Sequence, residues 1–185
     1  MSANVSAGTV ELTSVAAGYE VLDALIKAAD VVVLQARHVC SGKFFIVYSG
    51  KIADVETAMQ TARKVGGEFV EDYLTVANAH PGLFPAMAQT VALPPGKLMS
   101  LGVVETKTAS SALIAADAAA KAADVTLLKI VSATMLGGKG YFTMTGSVAS
   151  VETAIEAARA SLDSRGTFVN ASLLPNPPRE LFQEI

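Results

Sequence analysis

The sequence predicts an α+β protein of two tandem domains, residues 1–96 and 97–185. Each is an open, mainly antiparallel four-stranded sheet with helices on one side, in β-α-β-β-α-β order. Three observations carry this expectation: an internal repeat, an alternation of strand-like and helix-like runs that recurs in both copies, and the turn-forming cluster Pro94-Pro95-Gly96 near the middle. When GKIADVETAMQTAR (Gly50 to Arg63) is laid over GSVASVETAIEAAR (Gly146 to Arg159), eight of fourteen positions are identical. Upstream, Val10-Glu11 falls on Val104-Glu105, Asp23 on Asp117, Lys27 on Lys121 and Ala29-Asp30-Val31 on Ala123-Asp124-Val125. After a two-residue insertion in the second copy, Gly42-Lys43 falls on Gly138-Lys139. Downstream, Phe69-Val70 matches Phe168-Val169 and Leu83-Phe84 matches Leu181-Phe182. Two units of roughly ninety residues are a fused pair of domains rather than a solenoid, which stacks many short units.

Each copy opens with a short β-rich run, Gly8 to Ser14 or Leu101 to Thr106. A helical run follows in which Val21, Leu22, Leu25, Ile26 and Ala29 are expected on one apolar face, because residues three and four apart share a side of a helix. On the exposed side, Asp23 and Lys27 are one turn apart, as are Asp117 and Lys121. The β-branched run Val31 to Leu34 precedes a loop, and Phe44 to Tyr48 is an aromatic and β-branched strand ended by Gly50. A second helix, Val55 to Val65 or Val151 to Leu162, leads into a last strand, Glu68 to Val76 or Thr167 to Leu174. Hairpin-linked central strands and two long crossovers suit an open sheet covered on one face. The loop falls at the hairpin tip, where Gly and polar residues can be exposed.

Composition narrows the function. The chain is 51% hydrophobic and only 17% charged, below the usual charged share of about 25%, so subunit interfaces are expected. A formal net charge of -3 offers no basic footprint for nucleic acid. The longest uncharged stretch, Tyr73 to Gly96, is broken by Pro81, Pro85, Pro94 and Pro95 and is no membrane span. The start, MSANVSAG, lacks the pattern of a signal peptide. A single cysteine suits a reducing compartment, so a cytosolic protein is expected.

The two hairpin loops read HVCSGKFF (His38 to Phe45) and TMLGGKGY (Thr134 to Tyr141), and only the first carries a thiol. Gly-Lys invites a phosphate-loop reading, but that motif needs a Gly five residues before the Gly-Lys Gly and a Ser or Thr after the Lys. Arg37 and Ala133 stand at the first position, Phe44 and Gly140 at the last. No dinucleotide fingerprint, H-E-x-x-H or C-x-x-C occurs. His38 and Cys40, two apart, would share a face of an extended strand, so a Cys/His nucleophile pair is one reading. No orienting acid accompanies it. An inert apolar thiol is the other reading, against which the loop position argues. His80, in Asn78-Ala79-His80-Pro81, suits a turn at the end of the last strand.

Beyond these local readings, Val104-Glu105-Thr106-Lys107, the helix end Asp117 to Val125, the Gly137-Gly138 loop and Leu174-Pro175-Asn176-Pro177 resemble the bacterial microcompartment shell-protein domain. Both halves match, from about Gly8 to the end, as in the tandem-domain class that forms pseudo-hexagonal trimers. Glu11-Leu12-Thr13-Ser14, Cys40-x-Gly42-Lys43-Phe44 and Ala77-Asn78-x-His80-Pro81 are similar to the type found in propanediol-utilisation compartments. The resemblance implies a non-enzymatic tile in the shell of a cytoplasmic compartment. Its partners are two further copies of itself, neighbouring shell proteins and an enclosed redox enzyme. It also implies an iron-sulfur cluster at the pore, [4Fe-4S] and one per trimer, ligated by Cys40 of three chains for electron transfer or cluster delivery. Val39, Ser41, Gly42, Leu136, Gly137 and Gly138 would line the pore, and Lys27, Lys121, Asn78 and Asn176 would make edge contacts. Ser41 stands where a proline is expected, and the two Asn where Arg is commoner. One thiol per chain cannot hold a four-iron centre, whereas three chains around an axis supply three. A tile with a metabolite pore and no cluster is the alternative, and a cytosolic Cys/His enzyme a remote one.

Overall fold

A computed structural model describes residues 5–93, 99–132 and 137–183; Pro94-Pro95-Gly96 lies outside them. The first copy runs β1 (Ser6–Leu12), α1 (Val15–Ala28), β2 (Val32–Val39), β3 (Lys43–Gly50), α2 (Ile52–Gly66) and β4 (Val70–Val76), followed by the short α3 (Leu83–Ala88). The second repeats it with β5 (Ser100–Thr106), α4 (Ala109–Ala122), β6 (Val125–Ser132), β7 (Gly140–Gly146), α5 (Val148–Leu162) and β8 (Phe168–Pro175), then α6 (Arg179–Gln183). Among the described residues, contacts divide the chain into two compact units. One comprises 5–79 with 137–138, the other 80–93, 99–132 and 139–183. Thus α3, which follows the first copy in sequence, packs with the second unit.

Both sheets are four-stranded and antiparallel throughout, ordered β2-β3-β1-β4 and β6-β7-β5-β8. This corrects the expectation of central hairpin strands. Of the hairpin strands only β3 and β7 are interior, beside β1 and β5, which pair with both the hairpin's second strand and the last strand, so that β2 and β6 lie at edges. The order is the split βαβ arrangement, in which each helical crossover leads from an interior strand to an edge strand, β1 to β2 and β3 to β4 in the first copy. The first hairpin strand is also longer than the apolar run suggests. It extends through the polar residues Gln35, Arg37 and His38 to Val39, with alternating exposure typical of a strand whose two faces differ.

Local chemistry accounts for the helix starts. Ser14 Oγ accepts from the Ala17 N–H at 3.3 Å, Thr108 Oγ1 from the Ser111 N–H at 3.1 Å and Ser147 Oγ from the Ser150 N–H at 3.0 Å. Each satisfies an amide that the first turn leaves without an intrahelical partner. On α1 the buried face is Ala17, Gly18, Val21 and Leu25. Ile26, expected on that face, is 48% exposed, since the stripe defined by 18, 21 and 25 leaves position 26 about 100° away around the helix.

The first core joins Val10, Leu12, Phe44, Ile46 and Tyr48 of the sheet to Val21 and Leu25 of α1 and to Val55, Ala58, Met59 and Ala62 of α2. The matching residues Val104, Phe142, Met144, Val151, Ala154, Ala158 and Leu162 are buried in the second unit. The identical repeat residues Arg63 and Arg159 lie over aromatic rings of the last strands, 4.3 Å from the Tyr73 centroid and 4.6 Å from that of Phe168.

Gly18 lies directly against the Phe44 ring, and a Cβ there would overlap ring atoms. Alanine should add about 1 kcal/mol of helix propensity, yet forcing a methyl into filled space costs about 1–3 kcal/mol. Gly18→Ala is therefore expected to lower the urea midpoint; an unchanged or raised midpoint would show that the contact yields freely. A second prediction concerns pH. The Tyr48 hydroxyl donates to the Val55 carbonyl at 3.5 Å, and burial pushes its phenol above the ordinary value. Because the unfolded phenol ionises first, stability is intact below about pH 10 and falls as pH climbs past it. Tyr48→Phe should lose less stability than wild type across that range in urea melts, and equal losses would show that Tyr48 does not carry the effect.

Candidate functional site at the Cys40 turn

The β2–β3 hairpin closes through a 3-10 turn, Cys40–Gly42, with Val39 paired to Lys43 and His38 to Phe44. Cys40 is partly exposed and begins the turn rather than ending the strand. The alternation argument that placed His38 and Cys40 on one face therefore stops at Val39, because it holds only for extended backbone. His38 is exposed on β2. Val39 is 7% exposed, the one buried residue of β2. The backbone of Ser41 continues the turn, and Gly42 closes it at φ 73 with open space around the position a Cβ would take. A left-handed φ is a conformation Gly adopts without steric cost. In the second copy, Leu136 lies outside the described residues, while Gly137 and Gly138 have φ 62 and 92.

Two ion pairs hold the hairpin bases. Lys43 Nζ meets Glu71 Oε1 at 2.6 Å, and Lys139 Nζ meets Glu105 Oε1 at 2.9 Å. Within the first unit Gly138 abuts Lys43, so that a Cβ on Gly138 would lie 3.4 Å from the lysine Nζ. The carboxylates were not singled out from sequence, since Glu71 and Glu105 come from non-equivalent strands. The recurring Gly-Lys was the available signal.

Above the turn, Phe44 is buried with its ring tilted 46° to Tyr19 at a centroid distance of 5.1 Å, and Gly18 lies against the same ring and its Cβ. The first residues of β3 are thereby tied to α1, and the turn starts from a fixed base.

The expected edge residues differ between copies. Lys27 reaches Asp23 at 2.6 Å with side chains 73% and 63% exposed, as anticipated. Lys121 reaches Asp117 at the same distance, but Asp117 is only 8% exposed, which corrects the expectation of a solvated pair. The reason is local: Asp117 Oδ1 also accepts the His80 backbone N–H at 2.7 Å. His80 forms a turn, its Nδ1 accepting from the Gly82 N–H at 3.2 Å. Asn78 and Asn176 both have left-handed backbones, φ 47 and 45. Asn tolerates that region better than Arg, so the turn explains the residue type at both places.

Among the described residues no group of three or more His, Cys, Asp or Glu could hold a metal ion, and no helix is long and apolar enough to cross a membrane. A cluster would fit here only on thiols from several chains. The partly exposed turn position of Cys40 and the open space at Gly42 are compatible with such convergence.

Comparison with known proteins extends this geometry to a family. The BMC domain matches residues 6–79 and again 100–177. The bacterial microcompartment shell protein PduT of Citrobacter freundii is 33% identical over 178 residues, 96% of each chain. The carboxysome shell protein CcmK3 of Halothece sp. (strain PCC 7418) is 35% identical over 82 residues, 43% of this chain and 78% of that protein. Among solved structures, a microcompartments protein from Desulfitobacterium hafniense DCB superposes with a TM-score of 0.87 at 35% identity, over 97% of this chain and 98% of that one. The fused permuted hexameric shell protein MSM0275 of the RMM microcompartment, at 24% identity and a TM-score of 0.61 over 89% and 84%, shares the fold. The chain therefore belongs to the BMC-domain family and carries two copies of its domain in tandem.

Proposed function

We propose that this protein is a non-enzymatic shell tile of a bacterial microcompartment in the cytoplasm. Three chains form a pseudo-hexagonal trimer with an iron-sulfur cluster at its pore, packed among neighbouring shell proteins. The shell role is supported by likeness along nearly the full chain to a protein named as a microcompartment shell protein. The observation that carries the redox role is the placement of the only cysteine at a hairpin tip of one copy alone. Two copies alternating around a ring would supply six thiols if both loops carried one; with one, a trimer supplies three.

Cys40 of each chain would be the ligand, leaving one iron of a [4Fe-4S] centre to water, a small molecule or a partner. Such a cluster supplies one-electron transfer, here across the shell or to a redox enzyme inside. The chain positions the thiolates. The Phe44 contact with Gly18 fixes the turn's base, and Gly42 lets the backbone approach the axis. Backbone amides of the turn are the donors available to the sulfurs. Gly137 and Gly138 add no ligand to the ring.

Anaerobically purified protein should be brown and contain about one cluster per three chains, while Cys40→Ser should be colourless and assemble normally. Wild type that stays colourless after reconstitution with iron and sulfide would defeat the redox role and leave a tile with a metabolite pore. The edge role of the lysines has a separate test. Lys27→Asp should weaken sheet formation by electron microscopy and spare the trimer, and undiminished sheets would refute it. Lys121→Asp should in addition cost about 1–3 kcal/mol of stability, because it faces the buried Asp117 with a second acid. Equal melting of the two variants would contradict that asymmetry.

A further inference from the structure

We propose that the groove between the end of α2 and β4, in the first unit, is a binding site for a small organic oxyanion, a planar molecule bearing a phosphate or a carboxylate. The site depends on neither the trimer nor the cluster, and all its residues come from one copy of the domain.

The groove has a volume of about 450 Å³ and is lined by Gln60, Arg63, Lys64, Gly67, Val70 and Tyr73. That volume lies within the range of small-molecule sites. Two cations and an amide line it, and among the described residues neither Arg63 nor Lys64 has an acidic partner. The Arg63 guanidinium lies over the Tyr73 ring, 4.3 Å from its centroid, which orients the plane of its donors. Paired guanidinium N–H groups match a carboxylate or a phosphate, and the Lys64 ammonium adds a point charge beside them. Gln60, one helical turn before both, supplies a neutral donor and acceptor. Val70 and Tyr73 supply apolar surface for the planar body. Gly67, at φ 50, has open space where a Cβ would stand, so no side chain fills the groove at the helix end.

A cation in the last turn of a helix is favoured by the helix dipole alone, and Arg159 recurs at the matching place on α5. The dipole does not account for the other residues. Helices α2 and α5 are each fifteen residues long, and α5 has Glu156 where α2 has Gln60, and Ala160 where α2 has Lys64. Tyr73 faces Val10 across the strand ladder, whereas the residue that faces Val104 in the second copy is Ala171. Arg159 lies over Phe168 instead. The first copy thus gathers two cations, an amide and an aromatic ring, where the second has one cation, one acid and two alanines. The set that recognises an oxyanion on a planar body is confined to one copy.

Isothermal titration calorimetry on the full chain as it assembles tests this with three probes: phenyl phosphate, benzoate and inorganic phosphate. At least one of the two organic probes should bind wild type, and the tighter of them identifies the oxyanion. Inorganic phosphate, which lacks the planar body, should bind more weakly. Arg63→Ala and Lys64→Ala should each weaken binding about tenfold, and Arg63→Lys should weaken it too, since it keeps the charge and loses the fork. Lys51→Ala, which removes an exposed cation at the other end of α2, should leave binding unchanged. Circular dichroism confirms folding, and Lys64→Ala covers the case in which Arg63→Ala disturbs Tyr73. Wild type that binds neither organic probe at millimolar concentration would overturn the site. So would an affinity that Arg63→Ala and Lys64→Ala leave unchanged, or that Lys51→Ala lowers as much as they do. Inorganic phosphate bound as tightly as the better organic probe would overturn the part given to Val70 and Tyr73.

Discussion

The packing of Phe44 is the constraint on which the hairpin and its cysteine depend. Its ring fills the notch that Gly18 leaves on α1 and leans on Tyr19, which ties the first residues of β3 to the helix. A turn that begins three residues earlier then has little freedom in where it presents Cys40. The Lys43–Glu71 pair anchors the same strand from the last strand of the sheet. Tyr19 takes part twice, once against Phe44 and once on the outer face of α1.

The duplication was legible because sequence identity survives in it, above all in the Val-Glu-Thr-Ala run of the second helices. Helix starts were not: Ser14, which caps α1, was read into the first strand run, and α2 and α5 begin at Ile52 and Val148, ahead of the Val55 and Val151 expected from the apolar pattern. Sheet order was not. Periodicity says whether a run is a strand but not which strand it pairs with, and the polar end of β2 hid how close to Cys40 the ladder extends. Burial of equivalent residues was hidden for a related reason. Asp23-Lys27 and Asp117-Lys121 are the same pair by spacing, and only the His80 turn, distant in sequence from both, makes one of them buried. At the site, the cysteine's place in the loop was readable, while the strand boundary at Val39 was not.

Fusion of two domains permits asymmetry that a single repeated domain forbids. Here the first copy carries the thiol, an exposed acid on α1 and an open helix face, and the second carries glycines at its loop, a buried acid and a covered helix. These differences sit on two copies of one fold, so divergence has changed side chains and their burial without altering the order of elements. The proposed ring of three such pairs would have threefold chemistry on sixfold geometry, the symmetry that the proposed four-iron cluster with one open iron would need.

Native mass spectrometry under anaerobic conditions measures assembly and ligation together. The account predicts one dominant species with the mass of three chains plus one four-iron cluster, and a Cys40→Ser species of three chains alone. A reconstituted wild type that flies as three bare chains, or that binds iron in proportion to single chains, would contradict it.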